Sequence, residues 1–578
     1  MSGRAVAGVL LGTAILAVAV YLPALPGEFV SDDLLLVVGN PAVRSFDGAL
    51  RAFGRGYWSG LKEVAPYYRP LVVLSFALDR SVAGLKPAVF HAANILLHAA
   101  CSVLAALLVL RLAVAGGRGH VRMPFPSISS SALAGAALAG SLAAVHPIHS
   151  EPVAAIYGRP DLLCAFFALA FLNLALRGRR LLALLCLAAA MLSKESAVGL
   201  ALLSPFAFAA GHRSPAGFPA RGESLRRSRR ALLLGALLGA LLIGGYLALR
   251  YHALGRLHDP LAVTRLDNPL AAAEPEAQRW TPLAVLAHYA GQWLWPARLC
   301  ADWGFDVVPL AERILEPRVL AGGAVLLVFL LGTAHLALRR SSWALIAAAA
   351  GLAYLPASNL FFLAPALAAE RFLYLPSLGA CVLLGGAWAR VVPSPDREGG
   401  RARGWPFGTW GLHAAALAIV LLAGARTLVR AGEFRDDLTL YESSAAACPR
   451  SAKAQYNLGN ALARANREAD AIRAYEAAVG VAPWLAIAHT NMGNVYLNLR
   501  RLEDAEDAYR RAIEASPALL FPHVSLAGVL YLQGDLEEAL REAQAALALG
   551  PAPQEAEQIG ELIRRITKDL AERRPAGR

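Results

Sequence analysis

Residues 231–249 read ALLLGALLGALLIGGYLAL, nineteen positions without a charged side chain. A helix rises 1.5 Å per residue, so this run spans most of a hydrocarbon core about 30 Å thick. Working outward, the same pattern recurs near 5–25, 88–110, 131–146, 160–176, 181–193, 196–210, 319–338, 342–361, 372–389 and 408–425. That makes eleven candidate spans, and the segments 70–84 and 282–297 read as interfacial or re-entrant. The chain has 578 residues, 57% of them hydrophobic and 17% charged, with a mean hydropathy of +0.47. This excludes an ordinary soluble enzyme, a disordered chain and a disulfide scaffold. The sequence predicts an all-α fold: a polytopic transmembrane helix bundle followed by a soluble α-solenoid.

The net charge is +13, and only five of the 55 basic residues are Lys, a bias typical of a GC-rich, bacterial coding sequence. Most basic residues sit in short loops. Loops after even-numbered spans hold eighteen, among them Arg111, Arg118, Arg177, Arg213, Arg339 and Arg401. The short intervening loops hold three: Arg159, Lys194 and Arg371. The positive-inside rule then puts the N-terminus in the cytoplasm and the long loops 26–87 and 250–318 outside. The first span, preceded by Arg4, reads as an uncleaved signal anchor. An odd span count puts the C-terminus outside too. Membrane orientation accounts for the basic balance, so nucleic acid is not an expected partner. Six cysteines without a CxxC or Cys/His cluster predict neither structural zinc nor a disulfide framework.

Past residue 430 a period of 34 appears. Pro449, Pro483, Pro517 and Pro551 follow it, as do Tyr441, Tyr475 and Tyr509, and Gly459, Gly493 and Ala527. Ala471, Ala505 and Ala539, with Ala478, Ala512 and Ala546, fall at close-packing positions. This is the tetratricopeptide pattern, in which small residues let paired helices approach and Pro ends each unit. The expected organisation is a membrane domain over 1–430, a half-repeat plus three repeats over 431–552, and a capping helix and tail over 553–578. The cap carries Ile559, Leu562, Ile563, Ile566 and Leu570 on one stripe.

Ionisable groups near a membrane are costly, so where they gather is informative. Asp32 and Asp33 follow the first span. Arg69, His91, His146, His149, Glu151, Arg159, Asp161, Lys194, Glu195, Glu370 and Arg371 all map to outer ends of spans or outer loops. Singly, each has an ordinary reading. An Asp pair is a solvated stop, Lys194-Glu195 and Glu370-Arg371 are local ion pairs, and prolines disturb the metal-ligand spacing of His146 to Glu151.

Together they resemble one family in order and spacing. The run includes Phe29-Val30-Ser31-Asp32-Asp33, Tyr68-Arg69-Pro70-Leu71, His146-Pro147-Ile148-His149-Ser150-Glu151, Gly158-Arg159-Pro160-Asp161 and Ser193-Lys194-Glu195. It continues with Asp267-Asn268-Pro269, Ala301-Asp302-Trp303, Pro356-Ala357-Ser358-Asn359 and Glu370-Arg371-Phe372-Leu373-Tyr374. This is similar to the transmembrane and tetratricopeptide repeat-containing (TMTC-like) protein O-mannosyltransferases of the GT-C superfamily, over nearly the whole chain. Two departures stand out: Pro160 where Ala is expected, and a repeat array much shorter than in the animal members.

The resemblance implies a membrane glycosyltransferase that takes mannose from a polyprenyl or dolichyl phosphate and inverts the anomeric centre. The acceptors would be Ser or Thr hydroxyls of proteins, so the partners are a lipid-linked donor, membrane lipids and a polypeptide that the repeats could hold. By similarity the Asp pair holds the catalytic base, Asp32 in first place with Asp33 orienting the acceptor or a metal. Arg69, Lys194 and Arg371 are the candidates for the donor phosphate. The remaining site candidates are His91, His146, His149, Glu151, Arg159, Asp161, Glu195 and Glu370. No metal ligand is assigned and no cofactor is required, although a divalent metal is compatible. A bacterial inner membrane with a periplasmic array is favoured over the endoplasmic reticulum. Two alternatives are a polyprenyl-linked polysaccharide ligase or polymerase, and a non-enzymatic membrane scaffold.

Overall fold

The computed structural model describes residues 3–57, 67–115, 128–210, 221–257, 263–301, 303–392 and 409–573. Arg118, Arg122, Arg213, Arg397, Arg401 and Arg403 of the basic loops lie outside the described residues, as does Asp302. The chain divides into two compact units, Met1–Ala301 with Val308–Thr439, and Asp302–Val307 with Leu440–Arg578.

The first unit is built from α1 (Gly3–Ala19), α2 (Pro70–Ala83), α3 (Pro87–Ala115), α4 (Ser130–Val145), α5 (Arg159–Ala175) and α6 (Arg180–Ser193). It continues with α7 (Arg221–Leu254), α8 (Pro275–Leu294), α9 (Pro317–Leu338), α10 (Trp343–Tyr354), α11 (Tyr374–Val391) and α12 (Thr409–Gly432). Among the described residues seven helices are long and apolar enough to cross a membrane, and Ser130–Val145 with Pro147–Ala154, bent by 50° at the break, makes eight when taken as one broken span instead of a re-entrant loop. The segments Arg180–Ser193, Glu195–Ala210 and Trp343–Ala357 are apolar helices too short for that test. All eleven expected segments are therefore helical, and the chain is a multi-pass membrane protein.

Proline punctuates these helices. Pro70, Pro275 and Pro317 open α2, α8 and α9, where a missing N–H is no loss. Pro160 sits in the first turn of α5 for the same reason, so this departure from the family pattern is compatible with the helix. Pro147 instead forces His146 out of the helical region, to ψ 123°, which ends α4 and makes the bend. Helices α4 and α11 touch backbone to backbone: a Cβ on Gly135 would lie 2.3 Å from the Gly385 carbonyl oxygen, and one on Gly385 2.4 Å from that of Gly135. The loop after α1 is not a loose connection. Val37, Val43 and Tyr57 pack with Val72 and Phe76 of α2, Phe90 of α3 and Ile156 into one buried core.

The second unit begins with α13 (Asp437–Ala447, whose first turn belongs to the first unit), followed by the pair α14 (Ala452–Arg464) and α15 (Glu468–Val481). Then come α16 (Ala486–Asn498), α17 (Leu502–Ala515), α18 (Leu520–Gln533), α19 (Leu536–Ala548) and α20 (Pro553–Arg573). The 34-residue period has a direct steric meaning. A Cβ on Gly459 would stand 2.5 Å from the Tyr475 ring, and one on Gly493 2.7 Å from the Tyr509 ring, so the first two repeats each seat their Tyr on their own Gly. The six periodic alanines are all fully buried. Ile559 and Ile566 of α20 are buried as well, covering the last repeat.

Candidate active site

The two adjacent aspartates fold into opposite situations. Asp33 is fully buried, and both its carboxylate oxygens accept from backbone N–H groups, Val30 at 3.0 Å and Tyr157 at 2.6 Å. It thereby ties the loop after α1 to the turn before α5. Burial pushes its carboxyl up to about 8, although these N–H groups favour its charge. This departs from the expectation that Asp33 orients an acceptor or metal, because its oxygens already serve the backbone. Asp32 is exposed. It precedes a widened helical turn, Leu34–Val38, and follows Ser31, whose φ of 52° lies in the left-handed region.

Each candidate cation is paired with a candidate acid. Arg69, at the start of α2, forks onto Glu195 with Nε–Oε2 at 3.0 Å and Nη2–Oε1 at 3.2 Å. Lys194, which caps the end of α6, donates to Asp161 in the first turn of α5 at 2.5 Å. Arg371 pairs through its side chain with Glu151, and its backbone N–H donates to the same carboxylate at 2.9 Å. Such pairing is what lets charge persist in a partly buried site.

Aromatic rings join the pairs. The Arg69 guanidinium stands 4.3 Å from the Tyr67 ring centre and 5.5 Å from that of Tyr57. Lys194 and Arg371 both lie 5.6 Å from the Phe372 ring. Burial pushes the Tyr67 phenol up to about 12, and Arg69, Glu195, Arg371 and Asp32 all act on it. Asp32 and the pairs Arg69–Glu195 and Arg371–Glu151 therefore share one neighbourhood, to which Phe372 joins Lys194. Arg371 keeps 29% of its side chain exposed, against 14% for Arg69 and 12% for Lys194, and is the cation most open to a ligand.

Other candidates serve the framework. Arg159 is buried and bonded to Asp79 at 2.8 Å, to the Phe90 carbonyl at 2.9 Å and to Asn94. Glu370 lies 3.5 Å from Arg430, which also holds Glu433 at 2.5 Å. His91 meets the Glu28 carbonyl at 3.3 Å. His149 pairs with Ser377 at 2.9 Å, and His146 with the Trp293 carbonyl at 2.9 Å while stacking on that indole. His146 and His149 join a buried polar network with His98 and Tyr374 rather than the carboxylate–cation cluster. Among the described residues no group of three or more His, Cys, Asp or Glu is placed to hold a metal ion. Sequence reasoning missed Asp79 and Tyr57, whose roles depend on partners distant in the chain.

The repeat unit has a cleft of its own, about 740 Å³, between α15 and α17 over α16. Trp484, Met492 and Tyr496 give it an apolar lining, while Glu476, Asp507, Glu514 and Arg511 are exposed charges at its edge.

Residues 258–330 match the family described as Protein O-mannosyl-transferase TMTC, DUF1736. Residues 422–486 and 486–518 match tetratricopeptide repeat families. Protein O-mannosyl-transferase TMTC4 of Mus musculus is 31% identical over 482 residues, and that of Homo sapiens 32% over 483, each alignment covering 76% of this chain. Protein O-mannosyl-transferase F38B6.6 of Caenorhabditis elegans is 28% identical over 457 residues, covering 76% of this chain and 58% of that one.

This is a TMTC-like chain. It spans 61% of the length of the mouse and human relatives. In the TMTC-like chain the DUF1736 stretch meets the segment before Arg371 through Tyr289. Tyr289 of α8 accepts from the Ala369 N–H at 2.8 Å and donates to the Ala369 carbonyl at 3.2 Å, bracing the turn that presents Arg371.

Proposed function

We propose that this chain is an integral membrane glycosyltransferase that moves mannose from a polyprenyl or dolichyl phosphate to Ser or Thr hydroxyls of proteins on the non-cytoplasmic side. The observation that carries this reading is exposed Asp32, on a loop fixed by buried Asp33, acting on the Tyr67 ring together with the ion-paired cations Arg69 and Arg371. The names of the relatives supply the reaction class. In this reading Asp32 takes the proton from the acceptor hydroxyl as its oxygen bonds to the anomeric carbon. The bond from that carbon to the phosphate oxygen breaks on the opposite face, and configuration inverts. The leaving polyprenyl phosphate gains negative charge, which Arg371 stabilises with donors beyond the one engaged by Glu151. Arg69 and Lys194 contribute longer-range positive charge, partly offset by Glu195 and Asp161.

The N-terminus is cytoplasmic in this proposal. The repeat array faces the periplasm, or the lumen in a eukaryotic setting, where its cleft receives the acceptor polypeptide.

The test is transfer from synthetic polyprenyl phosphate mannose to Ser/Thr peptides by purified protein. Asp32→Asn is expected to lower kcat by about a hundredfold or more, and Arg371→Ala to lower it and weaken donor binding. Full activity of Asp32→Asn would overturn the base assignment. Absence of transfer from every lipid-linked sugar tried, by folded wild type, would overturn the enzyme reading.

A further inference from the structure

Ser31 is a residue with a side chain held at φ 52°, a region that glycine and asparagine tolerate and other residues enter only when held there. It directly precedes Asp32. Two bonds at its flanks account for the conformation. On one side the Val30 N–H donates to Asp33. On the other, the Ser31 N–H donates to Oδ1 of Asp437 at 2.8 Å, across 406 residues of sequence. A third link closes the stitch, because the Glu28 N–H donates to the Arg435 carbonyl oxygen at 2.8 Å.

The other end of the stitch is built for this contact. Asp436 caps the start of α13 by accepting from the Thr439 N–H at 2.8 Å. The helix end thus has its cap, and the next aspartate can reach away from the helix to Ser31. All of these residues belong to the first unit.

We propose that Asp437 is a positioning residue for sugar transfer: by holding the Ser31 N–H it fixes the left-handed turn that aims Asp32 at the acceptor hydroxyl. This rests on the reading of Asp32 as the base. Small displacements of a reacting group cost large factors in rate, so the contact matters even though Asp437 touches no substrate.

The experiment uses the full-length chain in detergent or nanodiscs, with folding checked by gel filtration and thermal unfolding. Asp437→Ala is expected to lower kcat about ten- to a hundredfold with KM for polyprenyl phosphate mannose unchanged, and to shift the acid limb of the kcat–pH profile that Asp32 sets. Asp437→Asn retains an oxygen acceptor and is expected to keep most of the rate. Ser31→Val, whose β-branched side chain resists positive φ, is expected to reproduce the Asp437→Ala defect, and the double variant to be no worse than the poorer single one. Hydrogen exchange in residues 28–34 is expected to rise in Asp437→Ala. The inference fails if Asp32→Asn abolishes transfer while folded Asp437→Ala and Ser31→Val match wild type in kcat and acid limb. It also fails if the two defects add in full. Retained transfer in Asp32→Asn would sink the base assignment and this inference together. Should Asp437→Ala not fold, the Ser31→Val and Asp437→Asn pair decides by the same readings.

Discussion

Asp32 and Asp33 differ by one position and by almost everything else. Asp32 is an exposed residue, while the Asp33 carboxylate is enclosed and shared between two backbone donors. Removing the second is a stability experiment. Asp33→Ala strands the Val30 and Tyr157 N–H groups, at about 1–3 kcal/mol for each buried donor left unmade. Its titration has a definite sign. The folded carboxyl lies at about 8, above the ordinary value of 3.8, so the folded state binds the proton more tightly than the unfolded chain. The stability this supplies is complete below about pH 4 and is lost as the pH rises through about 8. Thermal unfolding of wild type in detergent should therefore fall between pH 5 and 9 by a component that Asp33→Asn lacks. Identical pH dependence in the two proteins would remove the buried carboxyl as its source.

At the scale of elements, a buried ion pair joins helix α2 to the bundle beside its apolar packing: Asp79 on Arg159 of α5. The Arg159 side chain is 1% exposed, and deleting its partner leaves a buried charge with neutral hydrogen-bond partners but no counter-charge. Asp79→Ala is expected to cost about 3–5 kcal/mol, whereas replacing both residues by apolar ones of similar volume is expected to recover much of that loss. Unfolding temperatures of the two variants check this, and equal destabilisation would argue against a charge effect. The helices themselves were legible in the sequence, because apolar windows and a 34-residue period are local signals. The Gly459–Tyr475 and Gly493–Tyr509 contacts even follow from that period. Asp79–Arg159 was not legible, since a pair separated by 80 residues leaves no periodic trace. The same holds for Asp437, which meets Ser31 across 406 residues. Glu195, Asp161 and Glu151 were legible as charges at outer span ends, but their assignment to Arg69, Lys194 and Arg371 required the fold. The partners of the histidines also required the fold. His146 and His149 stand at an outer span end, where backbone carbonyls, the Ile148 N–H and Ser377 engage their ring nitrogens.

At the scale of the molecule, the proposed transferase would divide its work between bond-making in the membrane unit and acceptor capture by the repeats. The cleft over α16 offers exposed Glu476, Asp507 and Glu514 against Arg511, around Trp484, Met492 and Tyr496. This surplus of negative charge suits an extended segment carrying Lys or Arg beside an apolar side chain, and such complementarity acts chiefly on encounter and selection. The double variant Asp507→Lys with Glu514→Lys changes exposed positions, so the fold should be nearly untouched. KM for a basic, unfolded Ser/Thr-rich protein acceptor should rise about three- to tenfold, with kcat and the turnover of a short uncharged peptide unchanged. The wild-type preference for the basic acceptor should also fade with added salt, as exposed charges are screened beyond about 10 Å at 0.1 M. A fall in kcat for both acceptors would instead mean that the repeats support the catalytic unit as a whole. No change for either would remove this cleft from acceptor capture and leave the repeats to some other partner.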